Sequence, residues 1–104
     1  MKTNFLKYCL MAVSLSVVPF AGTYAADCVY KVGGLAPLSA PGSVTGGEAM
    51  RDAMLLAERE VNAAGGVLGC DLEVVITDTE GLPEKATAMM EKLITQDGVV
   101  AVGG

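Results

Sequence analysis

Residues 29–104 predict an α/β fold, a parallel sheet built in the order βαβαβ with right-handed crossovers. Three observations carry that expectation. The hydrophobic period changes repeatedly along the chain, from short β-branched runs to stretches with helical spacing and back. Turn formers stand at the changes: a Gly/Pro/Ser/Thr-rich tract after the first run, Gly65-Gly66 after the first helical stretch, and Gln96-Asp97-Gly98 after the second. Successive strand-like runs are also separated by helix-length segments, which parallel neighbours need and hairpins do not.

The first strand is Val29-Tyr30-Lys31-Val32-Gly33-Gly34-Leu35, and a low-charge loop from Ala36 to Gly46 follows it. Thr45-Gly46-Gly47-Glu48 matches a capping box, in which the hydroxyl and the carboxylate satisfy backbone donors at a helix start. It predicts a helix over 45–64 that buries Met50, Ala53, Met54, Ala57, Val61 and Ala64. Arg51, Asp52, Glu58, Arg59 and Asn62 fall largely on the other side. Gly65-Gly66 stops the helix, because a residue without Cβ takes the left-handed conformation cheaply. Asp71-Leu72-Glu73-Val74-Val75-Ile76-Thr77 is the second strand, strongly β-branched. Asp78 begins the next loop and is expected to cap it, and Pro83 suits the first turn of a helix over 83–96. That helix is expected to bury Ala86, Met89, Met90, Leu93 and Ile94. Val99-Val100-Ala101-Val102 is the third strand.

The first 25 residues read as a cleaved signal peptide. Lys2 and Lys7 give a positive start, the stretch from Tyr8 to Phe20 is mostly apolar, and Thr23-Tyr24-Ala25 offers small residues at a cleavage site. The apolar run falls short of the roughly 20 residues that span a bilayer. Asp27 stands before Cys28 where a lipoprotein signal carries a small residue, which disfavours lipid attachment there. Export to a bacterial periplasm follows, and cysteine usage fits it. Cys9 lies in the signal, leaving Cys28 at the opening of the first strand and Cys70 just before the second. Neighbouring parallel strands start on one edge, so these two thiols are expected to form a disulfide; two unlinked buried thiols are the alternative.

The same export removes two of the seven basic residues and none of the twelve acidic ones, so the net charge goes from −5 to −7. An acidic chain of this kind argues against nucleic acid or anionic membrane as partner. No metal site is expected, since the chain has no His and two Cys do not make a zinc set. Enzyme chemistry finds no support either. Gly33-Gly34 lacks the Gly-x-Gly-x-x-Gly spacing that brings backbone to a pyrophosphate, and the loop after it is too long for that turn. Asp78 falls where a dinucleotide fold keeps its ribose-binding acid, but the glycine pattern is missing. Gly42-Ser43-Val44-Thr45-Gly46 has the outline of a nucleophile elbow, yet Ser43 precedes the central position and no His exists to activate it. Neither a nicotinamide cofactor nor any other is expected. Three parallel strands need helices on both faces and only two helices are present, so residues 26–104 are read as the opening part of a larger protein.

Three segments identify a resemblance: Gly34-Leu35-Ala36-Pro37-Leu38-Ser39-Ala40-Pro41-Gly42, Val61-Asn62-Ala63-Ala64-Gly65-Gly66-Val67-Leu68-Gly69 and Asp78-Thr79-Glu80-Gly81-Leu82-Pro83-Glu84-Lys85-Ala86. Together they resemble the leucine/isoleucine/valine-binding family of periplasmic solute receptors over residues 29–104, the second segment being the most specific. The resemblance implies the opening part of lobe 1 of a two-lobed fold whose hinge closes both lobes over a small amino-acid-like ligand. It implies delivery of an amino acid or amide to an ABC permease in the inner membrane, without chemical change. A sensor or receptor with the same fold is the alternative. The resemblance places ligand contacts on Ser43, Val44 and Thr45, with further contacts after the third strand and in the second lobe. Branched-chain members commonly carry an aromatic residue near Thr45, and a Gly is usual at Ala40; the Thr argues against a strict leucine-like specificity. Two of these residues carry a structural reading as well, Thr45 as the helix cap and Ser43 as a turn residue.

Overall fold

The computed structural model describes residues 28–104. The signal-peptide reading of residues 1–25 lies outside the described residues. Five elements follow in order: β1 (Val29–Ala36), α1 (Val44–Ala63), β2 (Asp71–Asp78), α2 (Pro83–Thr95) and β3 (Ala101–Gly103). The sheet is parallel with spatial order β2-β1-β3, so β1 lies at its centre. β1 and β2 pair without a slip from Val29 opposite Asp71 to Ala36 opposite Asp78. β3 joins the other side of β1, with Val32 opposite Ala101 and Gly34 opposite Gly103. The predicted βαβαβ parallel sheet is the observed one.

Gly33 and Gly34 show why the centre of β1 lacks side chains. A Cβ on Gly33 would lie 2.7 Å from Leu93 Cδ1, on α2. A Cβ on Gly34 would lie 2.6 Å from Met54 Sδ, on α1. Successive Cβ positions point to opposite faces of a strand, so the two helices cover opposite faces of the sheet and each presses into a glycine. This glycine pair is a packing device. Leu93 is fully buried against it, as predicted, whereas Ile94, expected in the core, is 56% exposed.

Helix α1 differs from its sequence reading at its start and in its facing. It begins at Val44 with Ser43 as the N-cap residue, and no side chain caps it. The Ser43 carbonyl accepts the first helical bond, from Gly47 N–H at 2.9 Å. Thr45 therefore sits inside the first turn, and Glu48, exposed, lies beyond capping reach, so the Thr45/Glu48 capping box does not form. The cause is tertiary. Gly47 is buried so closely against the loop after β1 that a Cβ on it would overlap the Pro37 carbonyl oxygen. Contact with that loop, in place of a hydroxyl cap, sets where the helix starts.

The helix is also turned relative to the predicted stripe. Ala53 and Ala57 are exposed, while Met50, Met54 and Val61 are half-buried together with Glu58 and Asn62. The last two, assigned to the outer side by pattern, instead face the outer edge of β2. Asn62 donates from Nδ2 to the Leu72 carbonyl at 2.9 Å and accepts the Leu72 N–H on Oδ1 at 2.7 Å. Glu58 Oε2 accepts the Val74 N–H at 2.7 Å. An edge strand presents unpaired backbone groups that invite another chain, and here polar side chains of α1 occupy three of them, the Leu72 N–H and carbonyl and the Val74 N–H.

The stop signals act as read. Gly65 and Gly66 take φ values of 106° and 79°. Gly66 N–H bonds Val61 O at 2.9 Å and Gly65 N–H bonds Asn62 O at 3.1 Å, the paired closure that satisfies the last helical carbonyls. A tight reversal at Leu68-Gly69, both at positive φ, then lets Val67 and Cys70 exchange backbone bonds. α2 opens with Pro83, as predicted, and its end is held by a Lys92–Asp97 ion pair of 2.9 Å. The expected Cys28–Cys70 disulfide is present, with Cα atoms 5.0 Å apart at the start of β1 and β2. No helix among the described residues is long and apolar enough to cross a membrane.

Two outcomes follow. The disulfide closes a loop with a sequence separation of 42, for which loop-closure entropy gives about 4 kcal/mol, and native bridges of this kind contribute roughly 2–5 kcal/mol. Reduction, or Cys28→Ser with Cys70→Ser, should lower the denaturation free energy by about that much in urea titrations run with and without reductant. Asn62→Ala leaves the Leu72 N–H and carbonyl unpartnered at the edge. It should cost roughly 1–3 kcal/mol and speed amide exchange at Leu72, as hydrogen-exchange measurements on the two proteins would register.

Candidate functional site

In open parallel sheets, ligands sit beyond the carboxyl ends of the strands. Here that edge is formed by residues 37–43 after β1, residues 79–82 after β2, and the start of α1. The two loops are bound to each other. Thr79 N–H donates to the Ala36 carbonyl at 3.0 Å, extending the β1–β2 pairing one step beyond the strands. Gly42 lies against the second loop so tightly that a Cβ on it would come within 2.9 Å of the Glu80 backbone. Thr79 is buried and its hydroxyl accepts the Gly81 N–H at 3.2 Å. Glu80 and Gly81 both take positive φ, so the second loop doubles back sharply beneath Gly42.

Asp78 joins the two loops. Its Oδ1 accepts the Glu80 N–H at 2.8 Å, the capping role expected of it, and also the Leu38 N–H at 2.8 Å from across the sheet. Its Oδ2 accepts the Ser39 hydroxyl. The sequence pattern pointed to the contact within its own loop but carried no sign of the reach to Leu38 and Ser39, which are 40 and 39 residues away. The Ser39 hydroxyl above all, then the Glu80 and Leu38 N–H groups and the Lys85 charge, hold the Asp78 carboxyl down at about 2, against an ordinary 3.8. Lys85, from α2, is itself paired with Glu80.

Ser43, Val44 and Thr45 lie in one stretch at the start of α1. Ser43 and Thr45 are exposed and Val44 is half-buried. No acidic side chain lies in the first turn and no side chain caps it. The first N–H groups of a helix have no intrahelical partner, so this end presents donors and the positive pole of the helix dipole. The chemistry available is hydrogen bonding to an anionic or carbonyl group through backbone N–H and hydroxyl groups. No group of three or more His, Cys, Asp or Glu gathers among the described residues to hold a metal ion.

The depressed Asp78 pKa fixes the sign of one pH effect. Near neutrality the carboxyl is ionised whether the chain is folded or unfolded. Below pH 3.8 the unfolded chain takes up the proton first, so the stabilisation fades between pH 3.8 and about 2. Asp78→Asn removes a group that can titrate there, leaving Glu80 and Lys85 as its charged neighbours. The variant should show a lower melting temperature at pH 7 and a shallower fall across that acid interval. Parallel slopes for the two proteins would contradict the assignment.

Comparison with known proteins agrees with this architecture. The periplasmic binding protein family matches residues 29–104. A leucine-, isoleucine-, valine-, threonine- and alanine-binding protein of Pseudomonas aeruginosa is 31% identical over 104 residues, covering 100% of this chain and 27% of the relative. Among solved structures, the branched-chain amino acid transporter substrate-binding protein of Streptococcus pneumoniae, in complex with isoleucine, is 36% identical with a TM-score of 0.69. The match covers 74% of this chain and 22% of that one. A fatty acid ABC transporter substrate-binding protein from Thermomonospora curvata is 30% identical with a TM-score of 0.63, over 73% of this chain and 19% of that one. The chain spans about a quarter of the length of the curated relatives it matches, 25% and 27% of them. With a family match over residues 29–104 on a sheet of the same parallel kind, this chain belongs to the periplasmic binding protein family.

Proposed function

We propose that this chain supplies part of the ligand-binding lobe of an extracytoplasmic solute receptor. The receptor captures an amino acid or related small solute without chemical change and passes it to an ABC permease in the inner membrane. The observation that carries the reading is the similarity to amino-acid-binding receptors, which runs along the whole chain and includes the first loop and the start of α1. Ser43, Val44 and Thr45 are the proposed contacts. They stand at the carboxyl edge of β1, where the unpartnered N–H groups of α1 favour a negative group. Amino acids carry a carboxylate, as do the fatty acids named for one of the neighbours, so the helix end sets the headgroup and other residues set the side chain. Thr45 adds a hydroxyl and little bulk, which suits a range of small aliphatic and hydroxylated amino acids. A periplasmic location and export through residues 1–25 belong to the same proposal.

Calorimetric titration of the whole receptor with leucine, isoleucine, valine, threonine and alanine tests it, and binding to none of the five would overturn it. The site assignment is tested separately. Loss of one neutral hydrogen bond costs about 0.5–1.5 kcal/mol, so Thr45→Ala or Ser43→Ala should weaken the preferred amino acid by up to roughly tenfold. The melting temperature should stay nearly unchanged, because neither side chain caps the helix. Unchanged affinity in both variants would make this segment structural only.

A further inference from the structure

The segment proposed to touch ligand is itself held from a distance. Residues 37–43 carry no regular structure, yet the structure fixes them from three sides. Gly47 of α1 packs on the Pro37 carbonyl, and the backbone of Glu80 and Gly81 packs on Gly42. The third side is Asp78, which takes the Leu38 N–H and the Ser39 hydroxyl on its two carboxylate oxygens while also holding Glu80 N–H. The Ser39 carbonyl in turn accepts the Gly42 N–H at 3.1 Å, closing the turn that delivers the chain to Ser43. A path of hydrogen bonds thus runs from the last residue of β2, through Ser39 and Gly42, to the residue before the proposed contacts.

We infer that Asp78 is a positioning residue for ligand binding: its carboxylate ties the two loops at the carboxyl edge and presets Ser43–Thr45, without itself touching ligand. The inference rests on the receptor reading above. Its physical basis is preorganisation. A loop that must be ordered when ligand arrives lowers affinity by the ordering entropy, and a loop already ordered does not. Charge-assisted bonds suit the task because they are roughly twice as strong as neutral ones. A carboxylate oxygen can also accept two N–H groups at once, as Oδ1 does here.

The test uses the whole receptor and three variants: Asp78→Asn, the milder Ser39→Ala, and Asn62→Ala as a control for general destabilisation. Asn62 acts at β2 near Leu72, toward the opposite end of the sheet. Affinity is read by calorimetry with the five amino acids named above, well below each melting temperature, and loop order by hydrogen exchange of the ligand-free proteins. The expected result is affinity roughly three- to tenfold weaker in Asp78→Asn and weaker to a smaller degree in Ser39→Ala. Amide exchange should quicken at residues 38–45 in both. Asn62→Ala should bind as the unaltered protein does, although its melting temperature is lowered. Equal weakening in all three variants, or faster loop exchange with unchanged affinity in Asp78→Asn, would overturn the inference. If the unaltered receptor binds none of the amino acids, the receptor reading falls first, and unchanged exchange at 38–45 in Asp78→Asn would remove the positioning claim as well.

Discussion

The structure depends on the register between β1 and β2. Eight consecutive residues of each strand pair in parallel without a bulge, and everything else is placed by that pair. A one-residue slip would turn every side chain of a strand to the other face. It would put Gly33 and Gly34 on the wrong faces, so that Leu93 and Met54 could not enter the sheet. The register is therefore pinned twice. The Cys28–Cys70 bridge fixes the starting end, and the Asp78 carboxylate, with the Thr79–Ala36 backbone bond, fixes the finishing end. The two pins lie about 26 Å apart along the strands, far enough for their contributions to be separable.

Helix α1 connects these constraints. One face places Met54 against Gly34, its first turn buries Gly47 beneath the Pro37 carbonyl, and its last turns send Glu58 and Asn62 to the edge of β2. A single helix thus packs the sheet, carries at its start the segment proposed to meet ligand, and occupies three backbone groups, at Leu72 and Val74, on the outer edge of β2. Its polar and apolar residues are therefore sorted by which part of the sheet lies opposite, and only loosely by a core side and a water side.

That sorting explains what the sequence could and could not reveal. The βαβαβ order of elements, the Pro83 start, the Gly65-Gly66 stop and the cysteine pairing are legible because each is encoded within a few residues or by an even pair of thiols. The misreadings share one cause, tertiary contact overriding a local pattern. The Thr45-to-Glu48 match is a good local capping signal, but the start of the helix was set by how closely Gly47 approaches Pro37. Glu58 and Asn62 look like solvent residues until β2 is known to be an edge strand with free N–H groups. Asp78 was legible only in its own loop, because its bonds to Leu38 and Ser39 depend on the strand register. The separation in sequence hides what adjacency in the sheet makes unavoidable.

The division between the two ends of the sheet has a consequence for binding. At the starting end the disulfide, the tight reversal at Leu68-Gly69 and the closure at Gly65-Gly66 crowd together, and the disulfide also restricts the unfolded chain. At the finishing end the N–H groups of an uncapped helix face the side where loops converge. A Ser, Thr or Asp side chain at the N-cap would satisfy one of these donors permanently. Ser43 occupies that position with its hydroxyl uncommitted to the cap, which leaves the donors free for the carboxylate proposed to bind there, at the cost of some helix stability. The lost cap is offset locally, by Gly47 packing on Pro37 and by the Asp78 latch on the preceding loop. The start of α1 is thus held by backbone packing and a remote carboxylate, so that the groups proposed to meet ligand need not hold it themselves.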